Sequence, residues 1–244
     1  MKMLQLNVLF LMIVFFSIVP LFQSNSFEKD IIDLGGKKLS ITFIGHATLM
    51  MEYEGLIIHI DPVSEYADYS VLPKGDIILI THKHGDHLDK NAVKKILKSN
   101  TVIVGNKDVK AVIGNAKAMQ NGDVITVKGI KITAVPAYNI TEGRDKFHPK
   151  GRDNGYILVL NNRKVYIAGD TENTPELLSL RNIEIAFLPM NQPYTMTVKQ
   201  VAEVIKTVKP KIVYPYHFSD TDTSKLISLT KNIKDVEVRI RNLK

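Results

Sequence analysis

The feature that most constrains the fold is a short apolar run at residues 76–80, which ends directly in the histidine-rich segment T-H-K-H-G-D-H at 81–87. A continuous run of Ile and Leu without polar alternation is typical of a strand that is buried on both faces. Three of the chain's seven histidines and an aspartate follow it within six residues. The sequence therefore predicts a buried strand whose carboxyl end carries a concentrated set of polar side chains.

The histidine-rich segment has the composition of a metal site. His82 and His84 are two residues apart, so their side chains lie on the same side of an extended segment. Gly85 permits a tight turn that brings Asp86 and His87 toward the same point. Imidazole and carboxylate are good ligands for zinc and similar divalent ions, and the absence of cysteine excludes thiolate ligands. We therefore expect a metal centre held by histidine and aspartate.

The remaining pattern predicts a layered α/β fold in one domain. Short strands rich in β-branched and aromatic residues come first, and strands that alternate with helices follow. The predicted strands are 38–44, 48–53, 56–60, 76–80, 130–135, 156–160, 165–168, 183–188, 211–216 and 236–240, and the predicted helices are 89–98, 175–180, 198–208 and 224–232. We interpret residues 27–33 as a linker. This order favours mixed sheets covered by helices, which is an α/β sandwich.

The N-terminus has a different composition from the rest of the chain. An apolar run from about residue 4 to residue 22 is followed by a polar patch, in which Ser24 and Ser26 suit signal-peptidase cleavage before Phe27. The run is also near the length of a membrane anchor. We expect residues 1–26 to be a signal peptide or an N-terminal membrane anchor. The protein would then be exported or membrane-anchored, with residues 27–244 as the folded domain.

The charge of the chain bears on its partners. The formal net charge is +7, which suits an anionic partner. The sequence has no run of five like charges and no basic stretch interleaved with aromatic residues, so nucleic acid is not the expected partner. We expect a small-molecule or lipid-like anionic substrate, and membrane association through the N-terminal segment.

Three motifs together resemble the metallo-β-lactamase superfamily. T-H-x-H-x-D-H follows a strand, V-Y-I-A-G-D-T ends a later strand at Asp170, and I-V-Y-P-Y-H ends a third at His217. The resemblance covers about residues 37–244 and implies a four-layer αβ/βα sandwich of two mixed β-sheets flanked by helices. F-I-G-H-A at 43–47, Asp61-Pro62 and F-L-P-M at 187–190 resemble a branch of small hydrolases. That branch includes the L-ascorbate-6-phosphate lactonase-like and N-acyl-phosphatidylethanolamine phospholipase D-like proteins.

The resemblance implies a ligand set and a reaction. His82 and His84 would hold a first metal ion, and Asp170 would bridge to a second ion. The second ion would be held by Asp86, His87 and His217. The implied reaction is hydrolysis of an ester, lactone or phosphodiester by a metal-bound hydroxide, and Asp86 would orient that hydroxide or relay its proton. Zn²⁺ is the expected metal, as one or two ions, with Mn²⁺ and Fe²⁺ as alternatives.

One position departs from the family pattern. The family usually has a histidine after the strand that here ends in V-P-A-Y-N at Asn139, and a neutral amide oxygen binds zinc weakly. His148 lies nine residues further on, in a loop that is able to fold back over the site. We interpret His148 as the substitute ligand, as a substrate contact or as a surface-loop histidine. Asn139 remains a candidate ligand and a candidate substrate contact.

Four other residues are candidates for the site or its surroundings. His46, at a strand end, is a candidate catalytic residue that lines the cleft, or else a structural histidine of the first hairpin. Tyr194 is a candidate substrate-binding residue that donates to the transition state, in a loop that precedes a helix capped by Thr197. We interpret His59 as structural and Asp61 as a buried residue that supports the site.

Three alternatives to a small-molecule hydrolase come from other functional classes. A metal-dependent nuclease of this superfamily usually carries an inserted domain, for which the chain has no room. A non-catalytic metal-binding or ligand-binding module would tolerate lost ligands, yet all six residues matched to the family's ligands are present. A redox-active diiron centre would normally need a flavin domain, which the chain is too short to include.

Overall fold

The structure is a computed structural model that describes residues 27–243. The predicted signal peptide or anchor at residues 1–26 lies outside the described residues. Within residues 27–243, no helix is long and apolar enough to span a membrane. The described chain forms two seven-stranded sheets that follow each other along the sequence.

The first sheet is built from a meander and a parallel half. Its strands, in sheet order, are β1 (Glu28–Asp33), β2 (Lys38–Gly45), β3 (Thr48–Tyr53), β4 (Leu56–Ile60), β5 (Ile77–Leu79), β6 (Val102–Gly105) and β7 (Lys117–Ala118). The pairings from β1 to β4 are antiparallel, and those from β4 to β7 are parallel. Helices α1 (Lys90–Ile96) and α2 (Lys107–Ile113) connect the parallel strands. Asp89 caps α1, because its carboxylate accepts from the N–H of Asn91.

The second sheet repeats the same plan. Its strands are β8 (Val124–Val127), β9 (Ile130–Ala137), β10 (Asp153–Leu160), β11 (Arg163–Ile167), β12 (Ile183–Pro189), β13 (Ile212–Tyr216) and β14 (Glu237–Val238). The pairings are antiparallel from β8 to β11 and parallel from β11 to β14. The helices are α3 (Pro175–Leu178), α4 (Val198–Val208) and α5 (Thr223–Thr230). Thr197 caps α4 as predicted, and Gln200 completes a capping box.

The core lies in two layers, and β5 contributes to both. Ile77 and Leu79 belong to the large apolar cluster between the sheets. Ile78 and Ile80 belong to a second cluster with Val93 and other apolar residues of α1 and α2. Successive side chains of a strand point to opposite faces, so a strand covered on both sides must be apolar at every position. With helices outside each sheet, the predicted four-layer α/β sandwich is confirmed.

Two predictions about local structure were wrong or incomplete. Residues 28–33 are not a linker, because β1 pairs with β2 along its whole length. The Asp30 carboxylate also accepts from Arg239 Nη1 and Arg241 Nη2, so polar residues of this edge strand are paired with the C-terminal segment. The sequence analysis also missed β6, α2, β7 and β8. Three of these elements have only two to four residues, which is too short for a periodic pattern.

Candidate metal centre

The candidate ligands all follow strands that point the same way. In the first sheet β2 is antiparallel to β3, β3 is antiparallel to β4, and β4 is parallel to β5. The carboxyl ends of β2 and β5, which lead to His46 and to the 81–87 segment, therefore meet at one edge. In the second sheet the same argument applies to β11 and β13, which lead to Asp170 and His217. The topology thus gathers side chains that lie far apart in sequence.

The first cluster consists of three histidines. His82 Nε2 lies 3.1 Å from His84 Nδ1, and one ring nitrogen of His148 lies within 4.8 Å of both residues' ligand atoms. His148 is buried, and its loop does fold back onto the site. Burial lowers the pKa of His82, of His84 and of His148. These imidazoles are therefore neutral near pH 7, which is the form that binds metal ions.

The second cluster contains His46, Asp86, His87 and His217, whose ligand atoms also lie within 4.8 Å of one another. His217 Nε2 and His46 Nε2 are each 3.3 Å from Asp86 Oδ2. The backbone N–H of His217 donates to the carbonyl of His46 across 3.0 Å, which joins the two sheets at this point. Both residues have a positive φ, 53° for His46 and 46° for His217. Such angles are uncommon outside glycine and place these side chains by a tight turn after the strand.

Asp170 lies between the two clusters. Its Oδ2 atom is 3.3 Å from His148 Nε2 on one side and 3.3 Å from His217 Nε2 on the other. Its Oδ1 atom is 3.3 Å from His87 Nε2. Burial raises the pKa of the Asp170 carboxyl, but His217 and His87 outweigh it and hold that pKa well below its usual range. Asp170 is therefore an ionised carboxylate shared by both clusters.

Neighbouring groups fix the orientation of the rings. Asp61 Oδ2 accepts from His87 Nδ1 across 2.8 Å, and the same carboxylate accepts from the N–H and the hydroxyl of Thr81. The Tyr194 carbonyl accepts from His148 Nδ1 across 3.2 Å. A metal-binding histidine commonly donates its other ring nitrogen to a carboxylate or backbone carbonyl in this way. The buried, supporting position predicted for Asp61 agrees with this geometry.

The residues present fit a metal ion. His87 Nε2, His148 Nε2, His217 Nε2 and Asp170 Oδ1 are buried and have no hydrogen-bond partner among the described residues. Buried polar atoms are normally satisfied, and here four buried ligand atoms without a partner converge on one place. Although burial lowers the pKa of His217, Asp170 raises it to about 9. The negative Asp170 and Asp86 thus already attract positive charge to this position.

The two predicted substrate contacts occupy different environments. Asn139 is buried, and its Nδ2 donates to the carbonyls of Tyr194 and Arg144 at 2.8 and 3.2 Å. The Tyr194 side chain is 43% exposed, and its ring lies edge-on to Phe147 with centroids 4.9 Å apart. Asp86 is the accessible carboxylate of the centre, with a 42% exposed side chain. His59, interpreted as structural, is buried and donates to the carbonyl of Pro73.

Sequence reasoning missed one residue beside the centre. The Glu172 carboxylate is fully buried and accepts from the N–H groups of Ile140 and Thr141, both at 2.7 Å, and from the Thr141 hydroxyl at 2.8 Å. Arg144 Nη1 approaches it to 3.3 Å. These contacts hold the start of the loop that carries His148. The one sequence signal for Glu172 is its charge, two positions after Asp170. Its role cannot be inferred from that charge without the path of the loop.

The comparisons with known proteins agree with this fold. The profile described as the β-lactamase superfamily domain matches residues 40–217. The chain therefore belongs to the metallo-β-lactamase superfamily. A UPF0173 metal-dependent hydrolase of Pyrococcus abyssi is 32% identical over 199 residues, which cover 74% of this chain and 85% of that protein.

Solved structures give the same result. A crystal structure from Parabacteroides distasonis, named as a metal-dependent hydrolase, has a TM-score of 0.87 and 52% identity, covering 89% of this chain and all of that one. The metallo-hydrolase Igni18 of Ignicoccus hospitalis has a TM-score of 0.70 at 21% identity, covering 84% of this chain and 96% of that one. The second likeness concerns the fold alone.

Proposed function

We propose that the protein is a hydrolase with a dinuclear metal centre that cleaves an ester, lactone or phosphodiester bond in an anionic or lipid-like small molecule. The observation that carries the proposal is the position of Asp170 between two clusters, each of which contains a buried histidine Nε2 atom without a hydrogen-bond partner. These atoms are His148 Nε2 in the first cluster and His87 Nε2 and His217 Nε2 in the second. One ion in each cluster would give them partners, and the Asp170 carboxylate is within reach of both positions.

The proposed ligands divide between two sites. His82, His84 and His148 hold the first ion, and Asp170 contributes to both sites. The second ion is held by Asp86, His87 and His217. Bound ions, of which Zn²⁺ is our first choice, would supply Lewis-acid chemistry to the scissile group and to water. Neutral imidazoles and carboxylates are suitable ligands for Zn²⁺, Mn²⁺ and Fe²⁺ alike.

Asp86 and His46 are placed to orient a water molecule and to transfer a proton. The Asp86 carboxylate accepts from His46 Nε2, and His217 and His46 keep the pKa of Asp86 far below its usual range although burial raises it. It therefore remains an acceptor that orients water at the accessible side of the centre. His46 packs against the Tyr66 ring at 5.7 Å, which holds its imidazole in place beside Asp86.

The groups beside His148 support this substrate class. Ile140 and Tyr194 are exposed apolar or aromatic side chains, and Lys146 Nζ lies 5.1 Å from the ring centre of Phe147. Apolar and basic groups on the His148 loop and the neighbouring 191–196 loop suit a substrate that combines a negative charge with an apolar part. Tyr194 then contacts substrate through its ring and hydroxyl. An exported or membrane-anchored location, which we also propose, would expose the enzyme to lipid-like molecules.

Metal analysis and a substrate panel test the proposal. We expect about two metal ions per chain by mass spectrometry, and hydrolysis of at least one of three probes: bis(p-nitrophenyl) phosphate, p-nitrophenyl butyrate and an acyl-homoserine lactone. Chelation should abolish activity, and added Zn²⁺ or Mn²⁺ should restore it. Cleavage of a single-stranded oligonucleotide in preference to all three probes would favour the nuclease instead.

One variant pair makes the test specific to the centre. Asp170→Asn should remove at least one metal ion and most of the activity. Asp222→Asn is the matched control, because Asp222 caps α5 and asparagine caps helices equally well. A chain that folds but binds no metal would contradict the proposal and leave a binding module.

A further inference from the structure

We propose that Asn139 is a positioning residue that holds His148 in the metal centre through the backbone carbonyl of Tyr194. This inference rests on the proposed metal-binding function. It assigns a role to Asn139, the position at which this sequence departs from the family pattern. Asn139 does not replace the expected histidine as a ligand. It holds the histidine that does.

A backbone hydrogen bond closes the loop between the two residues. The N–H of Asn139 donates to the carbonyl of His148 across 2.9 Å, although nine residues separate them in sequence. Both residues are buried, whereas Thr141, Glu142 and Lys146 in the loop between them are exposed. The loop is thus an excursion that returns to its starting point. This return places His148 beside Asn139, which follows the end of β9.

The Tyr194 carbonyl joins the two side chains. It accepts from His148 Nδ1 at 3.2 Å and from Asn139 Nδ2 at 2.8 Å. The second acceptor of Asn139 Nδ2 is the Arg144 carbonyl at 3.2 Å. Because both neighbours of Nδ2 are carbonyl oxygens, the amide must present its NH₂ group to them. One buried amide therefore ties the 191–196 loop to the loop that carries His148.

This arrangement sets the direction of the His148 ring. With Nδ1 donating to the Tyr194 carbonyl, Nε2 is left as an acceptor, 3.3 Å from Asp170 Oδ2. Loss of the Asn139 amide would free the carbonyl that orients this ring. Removing a group that orients a metal ligand typically weakens metal binding about 10–100-fold.

The test compares Asn139→Ala, His148→Ala and the double variant with the parent, all as the full chain. Each is titrated with Zn²⁺ in competition with a chromophoric chelator, and the bound metal is counted by mass spectrometry. Tyr194→Phe is the matched control, because it alters the side chain but keeps the carbonyl that accepts both hydrogen bonds. Circular dichroism checks that each variant is folded. If Asn139→Ala is not folded, it is replaced by Asn139→Ser, which also lacks the bridging amide.

We expect Asn139→Ala to weaken the binding of one of the two metal ions about 10–100-fold and to leave the binding of the other unchanged. Tyr194→Phe should bind Zn²⁺ with the parent's affinity, whatever its effect on substrate, and the double variant should bind Zn²⁺ no more weakly than His148→Ala. Parent-like affinity in Asn139→Ala would overturn the inference. A further loss in the double variant would also overturn it, because Asn139 would then act independently of His148. A parent that binds no metal would instead contradict the proposed function.

Discussion

Asp61 Oδ2 accepts a hydrogen bond from His87 Nδ1 across 2.8 Å, and both side chains are completely buried. The same carboxylate accepts from the N–H and the hydroxyl of Thr81, the residue that begins the histidine-rich segment. One aspartate after β4 therefore fixes both the start of that segment and the ring of its last histidine. The centre depends on this residue although Asp61 is not among the proposed ligands.

We expect Asp61→Asn to weaken the binding of the second metal ion about 10–100-fold. An amide cannot accept at once from the Thr81 N–H, the Thr81 hydroxyl and His87 Nδ1. Its NH₂ group would face either Thr81 or His87 Nδ1, both of which donate to the carboxylate. The measurement is Zn²⁺ affinity by chelator competition, with Asp222→Asn as the control for an Asp→Asn change on the surface. Unchanged affinity in a folded Asp61→Asn protein would show that Asp61 only supports the fold.

The positions that sequence reasoning predicted well are those governed by local patterns. The bounds of α4 agree with the prediction because its Thr197–Gln200 capping box and its apolar stripe are both local. The order of strands placed Asp170 and His217 at strand ends, which is where the structure has them. These features need no knowledge of distant contacts.

The positions that sequence reasoning missed depend on distant contacts. β1 lacks an alternating apolar pattern, because only Ile32 among its six residues is buried and the Asp30 side chain pairs with Arg239 and Arg241, about two hundred positions away. Glu172 has no local signal, since its partners belong to a loop thirty residues earlier. Each is a consequence of topology, which a periodicity argument does not reach.

Glu172→Gln should destabilise the protein by about 2–4 kcal/mol, because a buried acceptor of several donors becomes partly a donor. Both N–H groups of Ile140 and Thr141 donate to Oε2, so the amide NH₂ would replace Oε1, which accepts from the Thr141 hydroxyl and from Arg144 Nη1. The measurement is urea unfolding followed by circular dichroism, since the chain has no tryptophan. Glu142→Gln is the matched control in the same loop, where the residue is exposed and the expected change is below about 0.5 kcal/mol. Equal stability of the two variants would contradict the role of Glu172.

Asp30→Ala should loosen the C-terminal segment and destabilise the protein by about 1–3 kcal/mol. This cost is below that of breaking a fully buried ion pair, because Arg239 and Arg241 are partly exposed. Burial raises the pKa of Asp30, but Arg241 and Tyr214 outweigh it and keep that pKa low, which indicates a favourable site for the carboxylate. Carboxypeptidase digestion and urea unfolding measure the two effects. Asp68→Ala, which removes an exposed carboxylate that contacts Lys95 and Ser70, should destabilise the protein less. A smaller effect at Asp30 than at Asp68 would refute this ranking.

His59 gives the fold a defined acid sensitivity. Burial lowers its pKa to about 4 from the ordinary 6.5, although the hydrogen bond to the Pro73 carbonyl acts in the other direction. Between these two values the unfolded chain binds a proton that the folded chain does not, so stability falls as the pH falls from 6.5 to 4. The shift corresponds to about 3 kcal/mol.

His59→Gln keeps a donor for the Pro73 carbonyl but does not titrate. We expect its free energy of unfolding to decline less than the parent's between pH 6.5 and pH 4, with the difference approaching about 3 kcal/mol at the acid end. Other histidines titrate in both proteins, so the difference between the two pH profiles isolates His59. Urea unfolding at a series of pH values measures it. Parallel profiles would mean that His59 takes up its proton in the folded state as readily as in the unfolded chain, contrary to its complete burial.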